Sequence, residues 1–134
     1  MAVVKAETWP VRVETDILVV RQAVRTRAIE LGLSLIDQTK IVTAASEIVR
    51  NALIYGGGGE AEIQIVEEGS RKGLRLICLD QGPGIPDVEL AMNDGYTTGH
   101  GLGLGLGGAR RLVHDFEIVS QPGQGTRVAL TRWK

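Results

Sequence analysis

Glu47 and Asn51 are two polar side chains whose types and spacing could do chemistry together. They are four residues apart in a segment with helical periodicity, so both point from the same side of a helix. An amide oxygen is a suitable hard ligand for Mg²⁺, and a carboxylate one turn away can accept a proton from an attacking hydroxyl or orient a water. A solvated pair on a helix surface would have the same spacing, so only neighbouring features give this pair a functional interpretation.

A second candidate is the segment Asp80-Gln81-Gly82-Pro83-Gly84, which follows the apolar stretch LRLICL. Alternation along that stretch places four side chains on one strand face, namely Leu74, Leu76, Cys78 and Asp80. A carboxylate on the covered face needs hydrogen-bond donors; the amino group of adenine supplies one, whereas guanine presents an acceptor there. Gly82 and Gly84 would let the backbone approach the base, although the same residues also suit a simple turn.

The third candidate is the glycine run GHGLGLGLGG. Its alternating glycines would turn backbone N–H groups toward phosphates, and the helix that follows would present its positive end. We expect the nucleotide-binding positions of this run to be Gly99, Gly101, Leu102, Gly103, Leu104, Gly105 and Gly107. Gly103, Gly105 and Gly108 also spell the dinucleotide motif G-x-G-x-x-G, but a polar segment precedes them instead of a strand, which argues against that fold.

Residues 93–100 lie between the base and phosphate candidates and have the composition of a mobile lid. Tyr96, Thr97 and Thr98 would contact the ligand or cap the next helix. His100 could reach a phosphate or be an exposed loop histidine, and His114 is expected to be structural or on the surface.

Two further features are open to two interpretations each. Gly125-Thr126 begins the last strand, where Thr126 could donate to the base or share a water with Asp80, and a plain hairpin turn would look the same. Arg21 and Arg25 are one helical turn apart and form either a partner surface or a solvated face.

The elements that must position these residues follow from periodicity and from helix stop signals. An edge strand is predicted at 9–14, because of Pro10, and a helix from about Thr15 to Leu31 ends at Gly32. Ser34 caps a helix to about Tyr55. The remaining predictions are strands at 60–67, 73–80, 115–120 and 126–133, a short helix near 86–92 and a helix from the glycine run to His114. This order lacks alternating βαβ units and favours a two-layer α+β sandwich with helices on one sheet face.

Bulk properties exclude several classes of protein. The 134 residues suit one domain, here predicted to span 1–134, and a net charge of −1 gives no footprint for nucleic acid or an anionic membrane. No apolar stretch approaches the roughly 20 residues of a membrane helix, and the N-terminus lacks the pattern of a signal peptide, so we expect a cytoplasmic protein. Cys78 is the only cysteine and is predicted to be a buried small hydrophobe.

Taken in order, the four motifs resemble the N, G1, G2 and G3 boxes of the GHKL ATPases, the superfamily of gyrase B, Hsp90, MutL and the histidine kinases. Within this superfamily, the chain is most similar to the small anti-sigma-factor-type switch kinases of the stressosome. The similarity lies in its size, its short lid and the stretch DGYTTGHGLGLGLGGARRLVHDFEI. The resemblance implies a Bergerat ATP-binding fold with a mixed sheet and a serine/threonine kinase that acts on STAS-domain proteins with ATP and Mg²⁺. Glu47 would be the base, Asn51 the magnesium ligand and Asp80 the adenine carboxylate, and 101–107 would wrap the phosphates. His100 departs from the glycine expected there.

An alternative from another class is an ATP-gated binding switch, which holds one partner and on release activates a PP2C-type phosphatase or another output enzyme. A metabolic ATPase and a nicotinamide dehydrogenase are remoter alternatives, because the sequence lacks the substrate-binding residues expected of either enzyme. A transmitter histidine kinase is not expected, since no dimerisation helix with a phosphoacceptor histidine precedes the motifs.

Overall fold

The structure is a computed structural model that describes residues 1–85, 88, 92 and 105–134. Its elements in chain order are β1 (Ala2–Val11), α1 (Glu14–Leu31), α2 (Leu35–Ile54), β2 (Gly59–Glu68), β3 (Arg71–Asp80), α3 (Gly105–Arg111), β4 (Asp115–Ser120) and β5 (Thr126–Trp133). The short helix predicted near 86–92 and the lid at 93–100 lie outside the described residues, apart from the isolated positions 88 and 92.

The five strands form one sheet in the order β1-β2-β3-β5-β4. All four strand pairs are antiparallel, so the prediction of a mixed sheet is wrong for these strands. The reason lies in the last hairpin: β3 and β4 run in the same direction, but β5 inserts between them and pairs with each in the opposite sense. The α+β two-layer architecture is confirmed.

The core lies between the sheet and the two long helices. Alternate side chains of β3, Leu74, Leu76 and Cys78, are buried together with Ile41, Ile48 and other apolar residues of α2. Burial of this apolar surface is the main force that holds the helices on the sheet. Because Asp80 continues the same alternation, the strand delivers its carboxylate to the covered face.

Local signals set the helix ends much as predicted. Gly32 ends α1 with a left-handed φ of 88°, and Ser34 Oγ accepts a hydrogen bond from Asp37 N at 3.1 Å to cap α2. The first strand differs from its prediction, because it covers Ala2–Val11 and leaves Val13 exposed. Asp16 Oδ2 accepts from the backbone N–H groups of Arg12 and Val13 at 2.8 and 3.1 Å, which turns the chain into α1 before the alternation can continue.

Candidate nucleotide-binding site

Glu47 joins helix α2 to the end of the glycine run. Its side chain is only 8% exposed, and its Oε2 accepts a hydrogen bond from Gly105 N at 3.2 Å. Its Oε1 accepts from Arg50 Nη1 at 3.3 Å. A buried carboxylate needs such donors, and one of them is the first backbone N–H of α3. The predicted base and the predicted phosphate-binding segment are therefore in direct contact.

Asn51 lies one turn further along α2, where the helix approaches its end. Its backbone oxygen accepts from Tyr55 N and Gly56 N at 3.0 and 3.2 Å, which closes the helix. Its side-chain amide makes no hydrogen bond to any residue that the structure describes, and its role as a ligand stays a prediction.

Asp80 ends β3 in a half-buried position on the helix side of the sheet. Burial raises the pKa of this carboxyl above its usual range, although hydrogen bonds from the backbone N–H groups of Gly82 and Thr126 oppose the rise. The bond from Gly82 N to Oδ1 measures 3.0 Å. The carboxylate is thus held by two backbone donors while burial makes its charge costly, which favours a ligand that offers a further donor.

Glycines bring three chain segments against one another around Asp80. A Cβ on Gly56 would lie 2.6 Å from Asp80 Oδ2, and one on Gly82 would lie 2.7 Å from the backbone oxygen of Gly56. A Cβ on Gly84, whose φ is +79°, would collide with the backbone of Gln121. In this structure Gly82 and Gly84 let the loops pack beside Asp80, and their predicted role in admitting the base stays a prediction.

Thr126 stands beside Asp80 at the start of β5. Its Oγ1 lies 2.8 Å from Ser120 Oγ at the end of β4, and Ser120 Oγ also accepts from Ile85 N at 2.7 Å. The hydroxyl of Thr126 therefore belongs to a polar network across the β4–β5 hairpin, and its role toward a base stays a prediction.

The phosphate candidates are described only in part. Gly105 and Gly107 are buried in α3, which Leu106 and Ala109 attach to the core. Positions Gly99, Gly101, Leu102, Gly103 and Leu104 lie outside the described residues. So do Tyr96, Thr97, Thr98 and His100, and the roles of all these residues stay predictions.

The remaining predicted residues lie away from this site. His114 Nδ1 accepts from Trp133 N at 2.8 Å, a structural contact at the far end of the sheet. Cys78 is buried as expected, and burial together with the nearby Asp80 raises the pKa of its thiol to about 12. Arg21 is exposed and Arg25 half-buried on α1, and neither forms an ion pair with a described residue.

Three residues of the site were missed from the sequence: Gly56, Arg50 and Ser120. Gly56 is one of four consecutive glycines, and the sequence does not show which of them meets Asp80. Arg50 is three residues after Glu47, a spacing that does signal a helical ion pair. Ser120 ends a predicted strand, where a hydroxyl is ordinary turn chemistry.

Comparison with known proteins agrees with this geometry. Residues 36–133 match the family described as histidine kinase-, DNA gyrase B-, and HSP90-like ATPase, which is most of the chain and includes every site residue above. The protein belongs to this ATPase family.

Two relatives show which class of protein within this ATPase family the chain resembles. The chain is 45% identical over 120 residues to the serine/threonine-protein kinase RsbT of Bacillus subtilis, covering 90% of each chain. It is 30% identical over 117 residues to the anti-sigma F factor of Thermoanaerobacter sp., covering 84% of this chain and 82% of that one. Similarity to RsbT at this level, together with the ATPase family, shows an ATP-using serine/threonine protein kinase.

A solved structure supports the fold. The crystal structure of the RsbU and RsbW domains of Rv1364c from Mycobacterium tuberculosis superposes with a TM-score of 0.62 at 22% identity. The match covers 97% of this chain and 33% of that longer one. Within residues 1–85 and 105–134, no helix has the length and apolar character needed to cross a bilayer.

Proposed function

We propose that this kinase transfers the γ-phosphate of ATP to a serine or threonine of a STAS-domain protein, in a bacterial stress-response partner-switching pathway in the cytoplasm. The observation that carries the proposal is the 3.2 Å hydrogen bond between Glu47 and Gly105 N. It brings a buried carboxylate to the beginning of α3, where the glycine run would hold phosphates.

Asp80 supplies recognition of the base. Its carboxylate accepts from two backbone N–H groups and sits where Gly56 and Gly82 leave no side chain. An ionised carboxylate has no proton to donate and can only accept hydrogen bonds. A purine with an amino group at position 6 therefore fits beside it, and a purine with an oxygen there is repelled. Adenine is therefore the base that this end of the sheet selects.

Glu47 supplies the proton acceptor for transfer. In phosphoryl transfer the protein mainly positions its reactants and neutralises charge, and one residue orients the nucleophile or takes up its proton. Glu47 already faces a backbone donor at the start of α3, so a hydroxyl presented at that point would lie within its reach.

Asn51 is the proposed magnesium ligand. Its amide, which has no hydrogen bond to a described residue, lies on the same helix as Glu47. Mg²⁺ commonly takes few protein ligands because substrate phosphates and waters complete its shell. Bound there, the ion would neutralise phosphate charge. No group of three acidic, histidine or cysteine side chains within the described residues forms a metal cage.

The proposed partner is a protein, since the relatives include an anti-sigma factor. Helix α1 offers a surface for it: Leu18 is 60% exposed, and Arg21 and Arg25 follow it on the same side of the helix. An acidic, apolar partner face would complement that surface. The anti-sigma relatives also support the second candidate, an ATP-gated binding switch that activates a phosphatase or other output enzyme with little catalysis of its own.

Two variants test the assignment of roles. Glu47→Ala should still bind ATP but lose phosphate transfer, whereas Asp80→Asn should lose ATP binding itself. Glu117→Gln, an exposed carboxylate change on β4, is the control and should leave both intact. ATP binding and single-turnover transfer are measured for each variant, and equal loss of ATP binding by the first two would defeat the assignment.

A further inference from the structure

Ser120 is the centre of a hydrogen-bond junction beside the base site. Cross-strand register places Asp80, Thr126 and Ser120 in one row across β3, β5 and β4 on the helix side of the sheet. Ser120 Oγ lies 2.8 Å from Thr126 Oγ1, 3.2 Å from the backbone oxygen of Gly125 and 2.7 Å from Ile85 N. Each contact lies within hydrogen-bond distance.

Either hydroxyl could donate in the contact between Ser120 and Thr126, but only one arrangement of protons lets all three contacts be hydrogen bonds at once. A serine hydroxyl has one proton to donate and two lone pairs. Ile85 N–H must donate to Ser120, and the Gly125 oxygen can only accept from it. With its proton on Gly125, Ser120 has one lone pair left, which the hydroxyl of Thr126 satisfies by donating. Thr126 Oγ1 is then left with lone pairs alone.

We propose that Ser120 is a positioning residue that directs the Thr126 hydroxyl away from the base site, so that this site presents acceptors only. The proposal rests on the proposed function, because it deepens the recognition of adenine at Asp80. With Asp80 and Thr126 both acting as acceptors, a purine with an amino group at position 6 is favoured over one with an oxygen there. Ser120 thereby sets nucleotide preference without touching the nucleotide.

Ser120 also holds the loop that follows Asp80. Its bond from Ile85 N, together with the 2.7 Å bond from Gly123 N to the oxygen of Pro83, ties residues 83–85 to the β4–β5 turn. Losing this anchor would weaken ATP and ITP binding alike. The ratio of the two affinities therefore separates direction of the hydroxyl from simple support of the loop.

The test measures dissociation constants of ATP and ITP by calorimetry, since ITP differs at the 6 position of the purine. Ser120→Ala is expected to lower the preference for ATP about tenfold, the contribution of one net hydrogen bond. Ser120→Thr, which keeps the hydroxyl, should restore the preference. Ser120→Cys keeps a side chain of similar size, but its sulfur is only a weak acceptor for the Thr126 hydroxyl and its S–H only a weak donor. It should give the same fall as alanine, and it serves where the alanine variant does not fold.

A double-mutant cycle with Thr126→Val isolates the mechanism. Once the Thr126 hydroxyl is absent, Ser120→Ala should cause no further change in the ATP-to-ITP ratio. An unchanged ratio in Ser120→Ala, or an equal fall in both backgrounds, would overturn the role of Ser120 alone. A wild-type protein without preference for ATP over ITP would instead refute the base site of the proposed function.

Discussion

Gly56→Ala is the change that best separates an effect of the geometry around Asp80 on ATP affinity from a general loss of stability. Gly56 has no positive φ, so its backbone conformation accepts alanine. The added Cβ would collide with Asp80 Cγ and would lie 2.6 Å from Asp80 Oδ2 and 2.7 Å from the oxygen of Ala52, whereas ordinary contact begins at 3.4 Å. The Ala52 oxygen must move by about 0.7 Å and the Asp80 carboxyl group by about 1 Å, and the first of these is helix backbone that yields little.

The expected magnitude follows from that displacement. Overpacking of this size costs about 1 to 3 kcal/mol of unfolding free energy. A reactive or binding group misplaced by about 1 Å loses on the order of 100-fold in function, so we expect ATP affinity to fall by about that factor. Calorimetric titration with ATP, together with thermal unfolding of the nucleotide-free protein, measures both effects.

Gly57→Ala is the matched control. Gly57 has a φ of +72° and no atom within 4 Å of an added Cβ, so alanine there is strained without a collision. We expect a cost of about 1 to 2 kcal/mol in stability and no change in ATP affinity. An ATP affinity of Gly56→Ala within about threefold of wild type, which is a change in binding free energy of under about 1 kcal/mol, would rule out this role of the glycine. An equal loss of affinity in both variants would do the same.

Three stability predictions follow from other contacts, each measured by unfolding of the nucleotide-free protein. Burial raises the pKa of Asp80 in the folded state, so the wild-type protein loses stability as pH rises and this carboxyl ionises. Asp80→Asn cannot ionise, so it should be as stable as wild type below pH 3.8 and more stable than wild type at pH 7, by less than about 1 kcal/mol. Arg132→Leu should cost about 1 to 2 kcal/mol at pH 7, since Arg132 Nε lies 3.2 Å from Asp37 Oδ1 and Nη1 lies 2.8 Å from the oxygen of Leu112. The hydrogen bond from Arg132 lowers the pKa of Asp37. The part of this stability loss that comes from the Asp37 ion pair should therefore disappear as pH falls below 3.8 through that lowered pKa. Ser34→Ala should lower stability by about 1 kcal/mol through loss of the α2 cap, and an unchanged melting temperature would contradict that assignment.

Much of the fold could be predicted because its signals are local. Gly32 and Ser34 set the ends of α1 and α2, and the alternation that ends at Asp80 both placed β3 and directed the carboxylate to the covered face. Val13 was misassigned because Asp16, three residues later, competes for its backbone N–H. Sheet order was not predictable in the same way, because the insertion of β5 between β3 and β4 depends on packing between distant segments.

The candidate site shows the same division. Glu47, Asn51 and Asp80 were selected by residue type and spacing within single elements. Gly56 and Ser120 were not, because their contacts with Asp80 and Thr126 arise only when separate segments meet. No pattern within a helix or strand records such contacts.

Transfer of phosphate is the most direct test of the account as a whole. Protein and a purified STAS-domain partner are incubated with Mg²⁺ and γ-labelled ATP, and the labelled residue is found by mass spectrometry, with Glu47→Ala and Glu117→Gln in parallel. We expect label on a serine or threonine of the partner with wild type and Glu117→Gln, and none with Glu47→Ala. Absence of label from a partner that binds the ATP-loaded protein would contradict phosphate transfer and favour the ATP-gated binding switch.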